Sequence, residues 1–127
     1  MHPPTDPYTS RREPIAAAAS VIAGRDAYLA ENGFTVEAYD APWTEASLLG
    51  LPIRVPNPPR HRWAIMRHDL HHVATGYGTD LVGEAEVSAW ELASGGYGLL
   101  DLYTRGIVTQ IISVGLLLAP HRTLAAW

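Results

Sequence analysis

Five consecutive residues, His68-Asp69-Leu70-His71-His72, hold three of the chain's six histidines beside an aspartate. On a helix, His68 and His72 stand four apart, so both imidazoles leave the same face with their Cβ atoms about 5–6 Å apart. That spacing lets two ring nitrogens converge on one ion, as helical H-x-x-x-H pairs do in zinc enzymes. Asp69 sits one position round and can ligate, orient a histidine or act as a base, whereas His71 is expected to miss a site centred on 68 and 72. Eleven residues separate His72 from Glu84. A tight turn at Gly76-Tyr77-Gly78 would fold two helices antiparallel and bring Glu84 back to the level of the histidines, with Ser88 and Glu91 following on its stripe. The set His68, Asp69, His72 and Glu84 is two nitrogens plus two carboxylates, a mixture suited to Zn, Fe(II), Mn or Co. The competing reading is a solvated polar face shared with Arg60, Arg62 and Arg67.

The elements that must position these residues read as helices. The first, from Pro14 to Asn32, ends at Gly33, with proline in its first turn and glycine past its end. Residues 1–13, rich in proline, form an extended or disordered arm. Ser10-Arg11-Arg12 before an apolar run resembles an export signal, but the flanks of such signals are missing. Residues 34–59 look irregular, with one short helix capped by Thr44 and no convincing strand. A helix capped by Asn57 runs from about residue 58 to Thr75, burying a stripe of Trp63, Met66, Leu70 and Val73. Thr79 or Asp80 caps the next, which reaches Gly95-Gly96 with Leu81, Ala85, Trp90 and Leu92 toward the core. A final apolar helix spans residues 99–119 and stops at Pro120. The expected fold is all-α, a single-domain bundle of about five helices, with residues 14–127 forming one metal-binding domain.

Composition narrows the function further. The 127 residues are one domain's worth of chain, 47% hydrophobic, with a net charge of −4 that argues against nucleic acid. There is no cysteine, which excludes disulfides, thiolate catalysis and Cys-based metal sites, and all nine basic residues are Arg, which excludes Schiff-base chemistry. The apolar helix has an uncharged stretch only from residue 106 to 119, well short of the roughly 20 residues that cross a bilayer.

The pattern HDxxH-x11-E resembles the ubiquinone (coenzyme Q) biosynthesis protein four family. The likeness is carried by HDLHHVATGYGTDLVGEAEVSAWEL, is strong over residues 63–92 and weak before residue 50. It implies an all-α fold, a bound divalent metal, usually zinc, on His68, Asp69, His72 and Glu84, and a hydrophobic channel for a prenyl tail. It also implies oxidative decarboxylation at C1 of a prenylated hydroxybenzoate ring, beside scaffolding of other quinone-biosynthesis proteins, as a homodimer in the cytoplasm or peripheral to the inner face of the membrane. The chain is short for the family, so a tailoring enzyme for another lipid-like or polyketide-like ring is an alternative.

If the chain is an enzyme, Asp69 and Glu84 are the catalytic candidates, with Asp69 the looser ligand that leaves an open metal position. Tyr77, Thr79 and Asp80 are placed to contact a polar head group. Leu99, Leu100, Tyr103, Ile107, Ile111, Val114 and Leu118 would follow the tail, ordinary core packing being the competing reading for most of them. A non-catalytic lipid-binding or scaffold protein with a structural metal is the second class considered. A metallopeptidase is a poor fit because the aspartate is a methylene shorter than the usual glutamate. Phosphohydrolases with a His-Asp pair need further ligands that this chain barely supplies.

Overall fold

The computed structural model describes residues 20–48, 51–98 and 101–127, so the arm expected at residues 1–13 lies outside the described residues. Five helices and one small hairpin make up the described chain. Helix α1 is Val21–Asn32, and the start expected at Pro14 lies outside the described residues. Ser20 adopts an extended backbone and its side chain accepts from Ala23 N, so the helix starts there; Gly33 closes it in a left-handed conformation at φ 72. A 3-10 turn (Val36–Asp40) follows.

The short helix expected at Thr44 is instead a strand. β1 (Trp43–Leu48) pairs antiparallel with β2 (Leu51–Pro56), Thr44 opposite Val55 and Ala46 opposite Ile53. The prolines at 52 and 56 hide the alternation, and a two-stranded sheet tolerates them because each strand has an open edge. The hairpin is tied down by Asn57 N donating to Pro42 O at 2.9 Å and Tyr103 OH donating to Pro56 O at 2.7 Å. Asn57 is not a helix cap. Its Nδ2 donates to the carbonyls of Tyr39 and Ala41, and Pro58 takes the capping position of α2 (Pro59–Thr75).

Helix α2 keeps only half of the expected apolar stripe inward, Leu70 being half-buried and Val73 packing on Tyr28, Leu29 and Tyr39. Trp63 is 51% exposed and Met66 38%, while His61, Ala64, Asp69 and His72 are buried. The ring of Trp63 carries the Arg67 guanidinium 4.5 Å from its centroid, a use of an aromatic that does not need the core. The buried face is polar because acidic side chains on the neighbouring helix complement it. That helix, α3 (Leu81–Ala93), is capped by Asp80, whose carboxylate accepts from Val82 N and Gly83 N. Val82, Ala85, Val87 and Ala89 are fully buried.

The long apolar segment is one helix that stops before Pro120, and a further short helix follows it. Asp101 caps α4 (Leu102–Leu118) by accepting from Thr104 N, and Pro120 starts a further helix, α5 (Pro120–Ala126), rather than ending the fold. Gly115 lets α4 approach Ala85 and Thr123 closely, and Arg122 clamps α5 to α3 through Glu86 at 2.8–3.0 Å. One apolar cluster joins Ala64, Ala89, Tyr97, Val108, Ile112 and Ala126; a second holds Tyr28, Leu29 and Tyr39. Among the described residues no helix is long and apolar enough to cross a membrane.

The turn joining α2 to α3 fixes the separation of the histidines from Glu84. Gly76 ends α2 at φ 73, and a side chain at Gly83 would run into the backbone carbonyl of Gly78. Gly83→Ala is therefore expected to push the turn away from α3 and destabilise the protein by about 2–4 kcal/mol, within the range for forced backbone shifts. Thermal or urea unfolding would measure this; an unchanged midpoint would show that the turn yields freely.

Candidate metal centre

Helices α2 and α3 bring three donors together. His68 Nε2 lies 2.9 Å from Glu84 Oε2 and 3.0 Å from His72 Nε2, and His72 Nε2 lies 3.3 Å from Glu84 Oε1. Two donors bound at about 2.05 Å to a tetrahedral ion stand about 3.3 Å apart, so this spacing suits one shared cation. The His68–His72–Glu84 group can hold a metal ion.

The outer nitrogens decide what the inner ones can do. His72 Nδ1 is 3.0 Å from the carbonyl oxygen of Tyr77, which can only accept, so that nitrogen carries a proton. His68 Nδ1 is 3.0 and 3.1 Å from the two oxygens of Glu91. Glu91 is fully buried; burial opposes its ionisation, but hydrogen bonding and charge from His68, with Tyr97 and His71, hold its pKa below the ordinary value. Both rings therefore donate outward and, when neutral, turn Nε2 lone pairs inward toward each other and toward a carboxylate. Such a cluster requires a positive charge at its centre, either a proton or a metal ion. Without metal the proton resides on His68. Burial disfavours its charged form, but the carboxylates of Glu84 and Glu91 outweigh that and raise its pKa well above 6.5. Burial likewise opposes ionisation of Glu84, but His68 and His72 hold its pKa at about 2.

Glu91 is the residue sequence reasoning left without a role. It accepts from His68, His71 and Tyr97, so His71 joins the network through Glu91 although it stays outside the donor triad. The signal was the 84/88/91 stripe on α3, which places Glu91 one turn below Ser88 on the Glu84 face. Asp69 stands apart from the three donors. Its Oδ2 accepts from Tyr39 OH at 2.6 Å, and burial raises its pKa despite that bond. Burial, with Asp69 as hydrogen-bond partner, also raises the pKa of Tyr39.

His68, Asp69 and Glu84 face a cavity of about 910 Å³ whose walls include Leu29, Phe34, Ile65, Ile111 and Val114. Thr79 and Asp80 lie on its wall; Thr79 Oγ1 also donates to Asn32 and Asp80 caps α3. The hairpin supplies Glu45 and Pro52. The other expected contacts fall elsewhere. Tyr77 packs on the apolar cluster and offers its carbonyl to His72, Tyr103 bonds the hairpin and meets the His61 ring edge-on, and Ile107 lines a separate small chamber. Leu118 is 43% exposed, and Leu99 and Leu100 lie outside the described residues.

Comparison of the chain with models of protein families, with curated proteins and with solved structures gave no match.

Two of the shifted groups, the donors His68 and Glu84, set a pH signature for the metal-free centre. His68 has a folded pKa raised above 6.5, so its contribution is complete below 6.5 and lost as pH rises through the raised value. Glu84 is lowered from 4.5 to about 2, so its contribution is complete above 4.5 and lost as pH falls toward 2. Thermal melts without metal, compared between wild type and Glu84→Gln, should show the contribution of this pair greatest between pH 4.5 and 6.5 and declining on both sides. Added divalent metal should stabilise more as pH rises, since it displaces the His68 proton. A metal effect that grows on acidification would contradict this assignment.

Proposed function

We propose that this chain is a metal-dependent enzyme that takes a prenylated or similarly apolar aromatic molecule into the large cavity and acts on its ring, by oxidative decarboxylation at C1. The observation that carries the reading is that His68 and Glu84, two of the three donors, open onto a cavity with largely apolar walls, while His72 backs them from within the fold. Three protein donors, as against four, leave a tetrahedral ion with a position for substrate or water, which is the pattern of catalytic rather than structural sites. A bound divalent ion supplies Lewis acidity to an oxygen of the ring carboxylate or carbonyl.

The chain's own residues do the rest. Ile111, Val114 and Leu29 take up the apolar tail and exclude water. Asp69, paired with Tyr39 and raised in pKa, holds or accepts a proton beside the donor set. Thr79 and Asp80 orient a polar head group. The reading extends to zinc as the resident ion, and to a homodimer working beside other quinone-biosynthesis proteins at the cytoplasmic face of a membrane. It rests on the HDxxH-x11-E resemblance together with the cavity.

The test is turnover of a C1-carboxylated prenylphenol by protein purified without an affinity tag, with dioxygen as oxidant. Replacement of the C1 carboxyl by hydroxyl, with release of carbon dioxide and reduction of dioxygen to hydrogen peroxide, followed by mass spectrometry, should occur with metal and stop on chelation. Tight binding without turnover would favour a lipid-binding or scaffold protein. Failure to bind any prenylated phenol would overturn the substrate class.

A further inference from the structure

Asp69 lies beside the metal donors without being one of them. It stands three positions before His72 on α2, so the helix carries its side chain to the same stretch of surface as the donor face. His68, His72 and Glu84 all act on it through their charge, yet the side chains whose ligand atoms lie close enough to share an ion are those three without Asp69. Its carboxylate is taken up from elsewhere: Tyr39 OH donates to Asp69 Oδ2 at 2.6 Å, from 30 positions away in the chain. The phenol is held from behind. Tyr39 is buried, its ring packs with Tyr28 and Leu29 against Ile65 and Val73 of α2, and its carbonyl accepts from Asn57 Nδ2 at 3.1 Å. Asn57 is buried in turn, and its own carbonyl accepts from Arg62 Nε at 3.0 Å. None of these contacts involves Asp69, so the fold places the phenol independently of the carboxylate it holds. Tyr39, Asp69, His68 and Glu84 all line the large cavity.

We propose that Tyr39 is a positioning residue whose hydroxyl holds the Asp69 carboxylate off the metal ion, so that the ion keeps a position open to the cavity. This rests on the reading of His68, His72 and Glu84 as the donors of a metal-dependent enzyme; the substrate does not enter. Zinc takes aspartate oxygen readily, and a fourth protein donor closes a tetrahedral ion into the pattern of a structural site. A carboxylate next to one donor histidine and three positions from the other is the side chain best placed to close it. The Tyr39 hydroxyl competes for that carboxylate with a charge-assisted hydrogen bond, the stronger kind. Phenylalanine in its place keeps the ring in the same packing and removes only the bond, which frees Asp69 to turn toward the ion.

Cobalt(II) bound to the full chain in place of zinc, with azide added, reads the open position through the visible absorption of the ion. In the wild type azide should shift the spectrum, because it takes the place of solvent on the ion. Tyr39→Phe should bind zinc about tenfold more tightly, the scale on which the neighbours of a ligand act, and its cobalt spectrum should not respond to azide. Tyr39→Phe/Asp69→Ala should restore both the wild-type affinity and the azide response, which a merely structural role for Tyr39 would not. Asp69→Ala alone should hold zinc at close to the wild-type affinity. A wild-type spectrum that ignores azide, a Tyr39→Phe chain that still responds to azide or binds zinc no more tightly, or an Asp69→Ala chain that loses zinc as Glu84→Gln does would each overturn the proposal. The wild-type and Asp69→Ala results decide even if Tyr39→Phe does not fold. A wild type that takes up no cobalt overturns the metal centre itself and this role of Tyr39 with it, whereas the other results leave the metal centre standing.

Discussion

His72→Ala is expected to abolish stoichiometric metal binding, while His71→Ala retains one ion per chain. His72 is fully buried, its Nδ1 is committed to Tyr77 and its Nε2 faces His68 and Glu84. Removing it deletes one of three donors, so affinity should fall by more than the about 10–100-fold that a supporting residue costs. His72 also stacks on Tyr28 at 5.5 Å, so alanine leaves a void as well. Glu84→Gln separates the two effects: it keeps the shape and removes the charged donor, so it should lose metal while the protein stays folded with a lowered melting temperature. Titration of metal-free protein with zinc, read by calorimetry, checks all three variants. Equal affinity in His72→Ala and His71→Ala would show that the ion, if bound, sits elsewhere.

Glu91 is expected to give the largest stability effect of any single side chain in the site. It is fully buried and meets His68, His71 and Tyr97. Glu91→Ala removes one of the two carboxylates that hold the His68 imidazolium and leaves His71 and Tyr97 without this partner, a change that costs about 3–5 kcal/mol when a buried pair is broken. Glu91→Gln is the informative variant. It retains an acceptor for His68 Nδ1 but loses the charge, so the protein should fold and bind metal about 10–100-fold more weakly. Urea unfolding measures the first effect and metal titration the second. If Glu91→Gln binds metal as tightly as wild type, the carboxylate does not support His68, and the histidine's orientation must come from packing alone.

The histidine pair and Glu84 were legible because a helical repeat of four and a glycine turn each act locally. The residues that complete the centre were not. Glu91 meets His68 only because α3 folds back along α2, and Tyr39 reaches Asp69 across 30 positions of sequence. The order of the helices, the stop at Gly76 and the cap at Asp80 were all readable, since caps are short-range chemistry. The hairpin was missed because Pro52 and Pro56 read as breakers, although a free strand edge accommodates them. Trp63 and Met66 were assigned to the core on hydrophobicity, yet α2 turns its histidines inward, because carboxylates on α3 make that polar face the one with partners. Pro120 does mark the end of α4, and it also stands in the first turn of α5, a helix the sequence reading did not anticipate.

The central claim is that His68, His72 and Glu84 together hold one divalent ion. Native mass spectrometry of the untagged wild-type chain, reconstituted with zinc and freed of excess, tests it most directly. The expected spectrum shows one ion per chain, lost on acidification and absent from Glu84→Gln. A wild-type chain that carries no ion after reconstitution, or a Glu84→Gln chain that carries it unchanged, would contradict the account.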